Sequence, residues 1–188
     1  MKNIVETLIT IQKAACKEKN RYSITGPCID IFEGKLRIRA TGGTALAQVL
    51  LDVPDGFSLK KPFIVDPGSI KMLKTLYTAN KKFGWEIDVI DEGGVEKIKI
   101  SAITSNGKQS VTLQPIDGEY PDTDRVWPSH KTNFKIGLNP KLLFDLCEAM
   151  RREKNCNVAE LEFCTDAKIG AIKVTFNGSK GLIMPMRI

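Results

Sequence analysis

Histidine is almost missing from this chain. His130 is the only one in 188 residues, and it stands in the polar stretch WPSHKTN with no motif around it. It reads as a residue of a connecting segment, so Ser-His or Cys-His chemistry and His-based metal sites lack their commonest component. No Gly-rich phosphate loop precedes a helix pattern, no nucleophile signature occurs, and the acidic residues are scattered. The expectation is a non-catalytic protein with no cofactor and no metal. Cys-x-x-Cys pairs are absent too. Cys16, Cys28, Cys147, Cys156 and Cys164 are five, an odd number, and with no export signal they are expected to be reduced and mostly buried. The last three are spaced 9 and 8 apart, which matches no familiar zinc pattern. No apolar run approaches bilayer length, and the opening MKNIVETLIT carries Glu6 without a small-residue cleavage site. A soluble, cytoplasmic protein without a membrane partner is expected.

What the chain does contain is near the globular average: 42% hydrophobic and 27% charged residues. That is enough apolar material for a real core and argues against wholesale disorder. The net charge of +6 suits a polyanionic partner, but only the distribution of that charge can decide whether one exists.

The chain repeats. PFIVDPGSIKMLKTL (62–76) and NFKIGLNPKLLFDLCEAM (133–150) each run from a short β-like stretch into Asp-Pro or Asn-Pro and then into apolar residues at helical spacing. Asp or Asn before Pro starts a helix well, because the side chain caps free N–H groups and proline lacks the N–H that would go unpaired. Ile70, Leu73, Leu76 and Tyr77 form one apolar face; Leu142, Leu143, Leu146, Ala149 and Met150 form the other. Each helix is followed by three strand-like runs, the last two joined through Asn106-Gly107 and Asn177-Gly178, as in tight hairpins. Pro67 and Pro140 lie 73 positions apart and Asn106 and Asn177 lie 71 apart, so both landmarks recur in step. The N-terminal third fits the template with its first strand missing: Asn3 and Glu6 suggest a capping box, and Ile4, Leu8, Ile11 and Ala15 a helical stripe. The strand-like runs YSITGPCIDIF, KLRIRAT and ALAQVLLDV follow. The fold class is therefore α+β, built from three βαβββ half-units near 1–57, 62–128 and 133–188, the first one clipped.

Away from the apolar stripes the helices expose cations. The first is expected to carry Lys13 and Lys17 beside Glu6 and Thr10. The second carries Lys71 and Lys74, with Lys81 and Lys82 after it. The third is mixed, with Lys141, Asp145 and Glu148 before Arg151 and Arg152. Lysine on a helix is often there for solubility. Three repeated helices side by side would gather these cations on one surface, which attracts phosphates without reading bases.

The ending, GLIMPMRI, is apolar where chains usually fray in polar residues. A buried edge strand is one explanation, with Pro185 where no N–H is needed. A second comes from likeness. MPMRI (184–188) is similar to the C-terminal Met-Pro-Met-Arg-Leu of the bacterial sliding clamp, the beta subunit of DNA polymerase III. DGEYPDTDRVWP (117–128) resembles that family's Gly-x-Phe-Pro-Asp-x-x-x-Val-x-Pro, with Tyr120 for Phe. RYSITGPCIDI and RATGGTALAQV resemble strands around the family's Ala-Thr-Asp-Gly-x-Arg-Leu-Ala motif, with Gly42 and Ala45 where Asp and Arg are usual.

The resemblance implies a DNA-clamp fold, helices on one face and antiparallel sheets on the other. The counterpart of the family's middle domain would span 1–128, and a single half-unit, like the second half of its last domain, 129–188. It implies a processivity factor around duplex DNA, with polymerase and clamp loader held through short peptides. Carried over by position, the peptide groove falls on Ile24, Thr41, Gly43, Thr44, Ala45, Leu46, Pro121, Arg125, Val126, Leu182 and Met184. Losing the arginine at Ala45 implies a plainer, less charged groove. The family chain has six half-units, so four copies of three would match its ring, and a homo-oligomer is expected. The competing readings are a decoy or adaptor that binds polymerase peptides without encircling DNA, and a plain basic DNA-binding domain.

Overall fold

The computed structural model describes residues 1–127, 136–150, 159–163, 170–176 and 179–185. They fall into two compact units, Met1–Trp127 and Pro128–Ile188.

In the first unit, α1 (Lys2–Ile11) is followed by short 3-10 turns and by β1 (Cys28–Phe32), β2 (Lys35–Thr41) and β3 (Leu46–Asp52). Then come β4 (Phe63–Ile64), α2 (Pro67–Ala79), β5 (Gly84–Glu92), β6 (Val95–Thr104) and β7 (Gly107–Leu113). All pairings are antiparallel, in the orders β3-β2-β1-β4 and β5-β6-β7. The strand that leads into α2 thus joins the sheet of the preceding half-unit. There Val65 N–H donates to Pro27 C=O at 2.8 Å. The crossing is so close that a Cβ on Gly26 would stand 1.7 Å from Val65 C=O, so only glycine fits.

Both helices pack on the sheets through one shared core that includes Val5, Leu8, Ile38, Leu73, Ile100 and Leu113. At roughly 1.5–3 kcal/mol for each large side chain, this core dominates the unit's stability. Asp66 caps α2 by accepting from Ser69 N–H at 2.8 Å, as Asp-Pro predicts. Ser105-Asn106 turns β6 into β7, one position before the Asn-Gly centre expected from sequence, and Gly107 opens β7 at φ +110.

Three expectations are corrected here. Helix α1 has no capping box: it starts at Met1 with no side-chain cap, and Glu6 accepts instead from the Tyr77 hydroxyl of α2. The helix stops at Ile11, so Lys13 lies in a 3-10 turn and Lys17 in the loop beyond it. And the start of YSITGPCIDIF is no strand, because Lys19–Ile24 forms 3-10 turns kinked at Arg21.

The second unit holds α3 (Pro140–Ala149), β8 (Ala159–Glu162), β9 (Ile172–Phe176) and β10 (Ser179–Ile183), with the sheet order β10-β9-β8. Asn139 caps α3 by accepting from Lys141 N–H and Leu142 N–H. Leu143, Leu146 and Met150 pack with Ile172, Val174 and Ile183. Leu142, expected on that apolar face, is exposed, as is Phe144; the inward stripe is narrower than the sequence pattern suggested. The Asn177-Gly178 turn, His130, Arg151, Arg152, Cys156, Cys164 and Met186 lie outside the described residues.

Candidate functional site

The sheet face of β1 and β2 turned away from the helices carries charge where apolar side chains would be usual. Alternation puts Asp30 of β1 and Arg37 and Arg39 of β2 on that face, and Asp30 and Arg37 are direct cross-strand partners. Arg37 clasps Asp30 with two hydrogen bonds, Nε to Oδ1 at 2.8 Å and Nη2 to Oδ2 at 2.6 Å. Arg39 Nη2 donates to the same Oδ2 at 2.9 Å. All three are buried. Each guanidinium then has a hand free for the segment that follows β7. Arg37 Nη1 donates to Asp124 Oδ1 at 2.7 Å, and Arg39 Nη1 to Thr123 Oγ1 at 2.6 Å. Arg39 also lies over the Tyr120 ring. The hydrogen bonds to Asp30, and then those to Asp124, raise the Arg37 pKa above its ordinary range, so the group stays charged. Buried charges persist only when paired in this way. The bracket clamps residues 120–126 across the sheet as a strap.

At the end of β2 the chain turns sharply. Thr41 Oγ1 donates to Ala45 C=O at 2.7 Å and accepts from Gly43 N–H at 3.0 Å. Gly43 sits at φ +95, a backbone that side chains disfavour.

Between this turn, the strap and the kinked 3-10 segment lies a cavity of about 380 Å³. Of the residues named from sequence, Ile24, Thr41, Gly43, Thr44, Ala45, Leu46, Pro121 and Val126 all line it. Arg125 does not: its exposed side chain turns to Asp122, Nε to Oδ2 at 2.8 Å. Leu182 and Met184 belong to the second unit, where both are exposed. Arg21, Asp122 and Thr123 also line the cavity and were missed. In the strand expected there, residues 21 and 24 would point to opposite faces; the kink at Arg21 brings both to the cavity. The strap is irregular, so no periodicity marked Asp122 or Thr123.

The described lysines proposed from sequence for phosphate contact, Lys13, Lys17, Lys71, Lys74, Lys81 and Lys82, are all exposed. Among the described residues none has a carboxylate partner within salt-bridge distance. Only Lys71 and Lys74 sit on a helix. No group of three His, Cys, Asp or Glu among the described residues is placed to hold a metal ion, and no described helix is long and apolar enough to cross a membrane.

Comparison with solved structures decides the fold. A sliding clamp (DNA polymerase III subunit beta) from Bartonella birtlesii, bound to griselimycin, superposes with a TM-score of 0.72 and 21% identity over 97% of this chain and 48% of its own. This is the sliding-clamp fold. The clamp from C. crescentus gives a TM-score of 0.70 and 23% identity over 98% of this chain and 48% of its own. The DNA polymerase III subunit beta from Pseudomonas aeruginosa gives 0.70 and 22% over 98% and 49%. The chain therefore spans about half the length of the solved clamps it matches. No protein-family model matches the sequence, and no curated protein does. The α+β class expected from the repeats and the clamp fold implied by the resemblance are the ones observed.

Proposed function

We propose that this chain is a non-catalytic processivity factor of clamp type. Its first unit receives a short apolar peptide of a polymerase or clamp loader, and its lysines contact duplex DNA through phosphates alone. The observation that carries the reading is the cavity: eight positions chosen from sequence for a peptide groove, drawn from segments far apart in the chain, line one hollow. Its lining combines buried Ile24 and half-buried Leu46 with backbone-rich Gly43 and Thr44, which suits one or two Leu or Phe side chains on an extended peptide. Such a role needs shape and desolvation and no reacting group.

The test is fluorescence anisotropy with a labelled peptide carrying a Leu–Phe pair. Leu46→Ala should weaken binding by about tenfold, the loss of one well-buried apolar contact; unchanged affinity sinks the pocket assignment. For DNA, retention on closed circles that is lost on linearisation would establish encirclement. Four copies of the 20.9 kDa chain would supply the half-units of a full ring, and light scattering measures that assembly directly. The cavity by itself, which needs none of the lysines, supports a second reading, an adaptor that binds the peptide without encircling DNA. Peptide binding by a persistent monomer with no topological retention would establish it.

A further inference from the structure

We propose that the second unit is a docking surface for the second unit of another copy of this chain, with Leu161 of β8 and Leu143 of α3 buried between them. The inference rests on neither the cavity nor the lysines, so its test stands apart from theirs.

The first unit shows how a half-unit of this type completes its core. Two of them stand together there. Helix α1 lies beside α2, with the Tyr77 hydroxyl donating to Glu6, and a single core draws on both helices and both sheets. The second unit holds one half-unit, and its core among the described residues is α3 on its own sheet.

The repeat lets the two be compared position by position. In the first unit Ile87 of β5 pairs with Ile100; in the second, Leu161 of β8 pairs with Val174. Directly paired residues share a face of the sheet, and Val174 is buried in the core with α3, so Leu161 belongs to that inner face. Yet Ile87 is 6% exposed and Leu161 is 36% exposed. Two residues earlier on each strand, Trp85 is buried and Ala159 is exposed. The helices differ in the same sense. With Pro67 matched to Pro140, Ile70 and Leu73 correspond to Leu143 and Leu146. The first two are buried and the second two only half-buried. Phe144, next to Leu143, is 65% exposed where α2 carries Lys71.

The occupant follows from this comparison. What closes these positions in the first unit is a core shared by two half-units of one architecture. The surface that fits the open ones is therefore another half-unit of the same kind, which a second copy of this chain brings. A two-fold axis lets each copy cover the other with the same residues. Taking Leu143, Leu161 and the flanking Phe144 out of water drives the contact. An exposed phenylalanine in place of a lysine also suits a protein surface and offers nothing to a phosphate.

Light scattering on the full chain across a range of concentrations tests this. The mass should rise above the 20.9 kDa of one chain as concentration increases, and Leu161→Glu should halve the assembly. Leu161→Thr suits a strand, so it probes the contact without a buried charge. It should weaken association by about a hundredfold, about tenfold from each copy, because a two-fold contact counts every change twice. Phe144→Glu, on an exposed position that folding does not need, should weaken it by at least about tenfold. Met72→Glu, which alters an exposed apolar residue of α2, should leave the mass unchanged. A chain that stays at the mass of one copy at every concentration would overturn the inference. So would an assembly that keeps its strength in Leu161→Thr and Phe144→Glu, or one that Met72→Glu weakens equally. Peptide binding at the cavity is read by its own assay, so either result can fail while the other stands.

Discussion

Replacing Asp30 by alanine would strip the carboxylate that two buried guanidinium groups share. Breaking one side of a buried pair costs about 3–5 kcal/mol, because the remaining charge is left uncompensated. Here the loss is cushioned. Arg37 keeps Asp124, and Arg39 keeps Thr123 and the Tyr120 ring, so the low end, about 3 kcal/mol, is expected. The assay is favourable. Both tryptophans, Trp85 and Trp127, lie in the first unit, and Trp85 is buried in its core, so tryptophan fluorescence in urea follows that unit alone. With a denaturant slope of about 1.5 kcal/mol/M, the midpoint should fall by about 2 M. The control is Asp52→Ala. Its pair with Lys35 has a contact of the same 2.6 Å as the closest in the bracket, but it stands in water, with Asp52 92% exposed. Exposed pairs contribute little however short they are, so that midpoint should barely move. If the two substitutions shift the midpoint equally, burial is not what gives the bracket its strength, and the account of the strap fails.

Three further outcomes follow from the same geometry. Tyr120→Phe should change stability by no more than about 1 kcal/mol in the same urea titration, since the buried hydroxyl has no well-formed hydrogen bond and only the Thr41 backbone beside it. Burial pushes the Cys28 thiol up from 9.0 to about 11 and the Tyr120 hydroxyl up from 10.0 to about 12. The folded state therefore holds protons that the unfolded chain releases. The contribution of these two groups to stability should be constant below pH 9 and be lost between pH 9 and 12, and Cys28→Ala should remove the part lost between 9 and 11. Reversing Lys71 and Lys74 to Glu should lower the salt dependence of binding to a non-specific duplex, by about one unit of log–log slope for each lysine that meets a phosphate; an unchanged slope would remove α2 from the DNA surface.

The parts of the fold legible in the sequence were those with local causes. Asp66-Pro67 and Asn139-Pro140 announce helix starts because capping and the missing proline N–H act within one turn. The turn glycines announce hairpins for a similar reason. What stayed hidden depended on distant neighbours. Glu6 looked like a capping residue until Tyr77, 71 positions away, gave it another partner. The roles of Arg37 and Arg39 went unnoticed in the strand-like run KLRIRAT, because nothing near them in sequence signals that residues 120–126 will cover them. Arg21 was overlooked because a kink cannot be read from alternation. The eight cavity residues that were found came from likeness to a family motif; Arg21 and Asp122 stand inside the same matched stretches and were passed over, because nothing in their local pattern marks a cavity wall.

The bracket also bears on how the molecule matures. Its two ties to the strap join residues 87 and 84 positions apart, among the last contacts a growing chain can make in this unit, and such distant closures form slowly. During synthesis the hollow has no second wall until residue 126 has left the ribosome. The hollow is thereby completed only at the end of the unit's assembly, and a half-made chain presents an open face in its place.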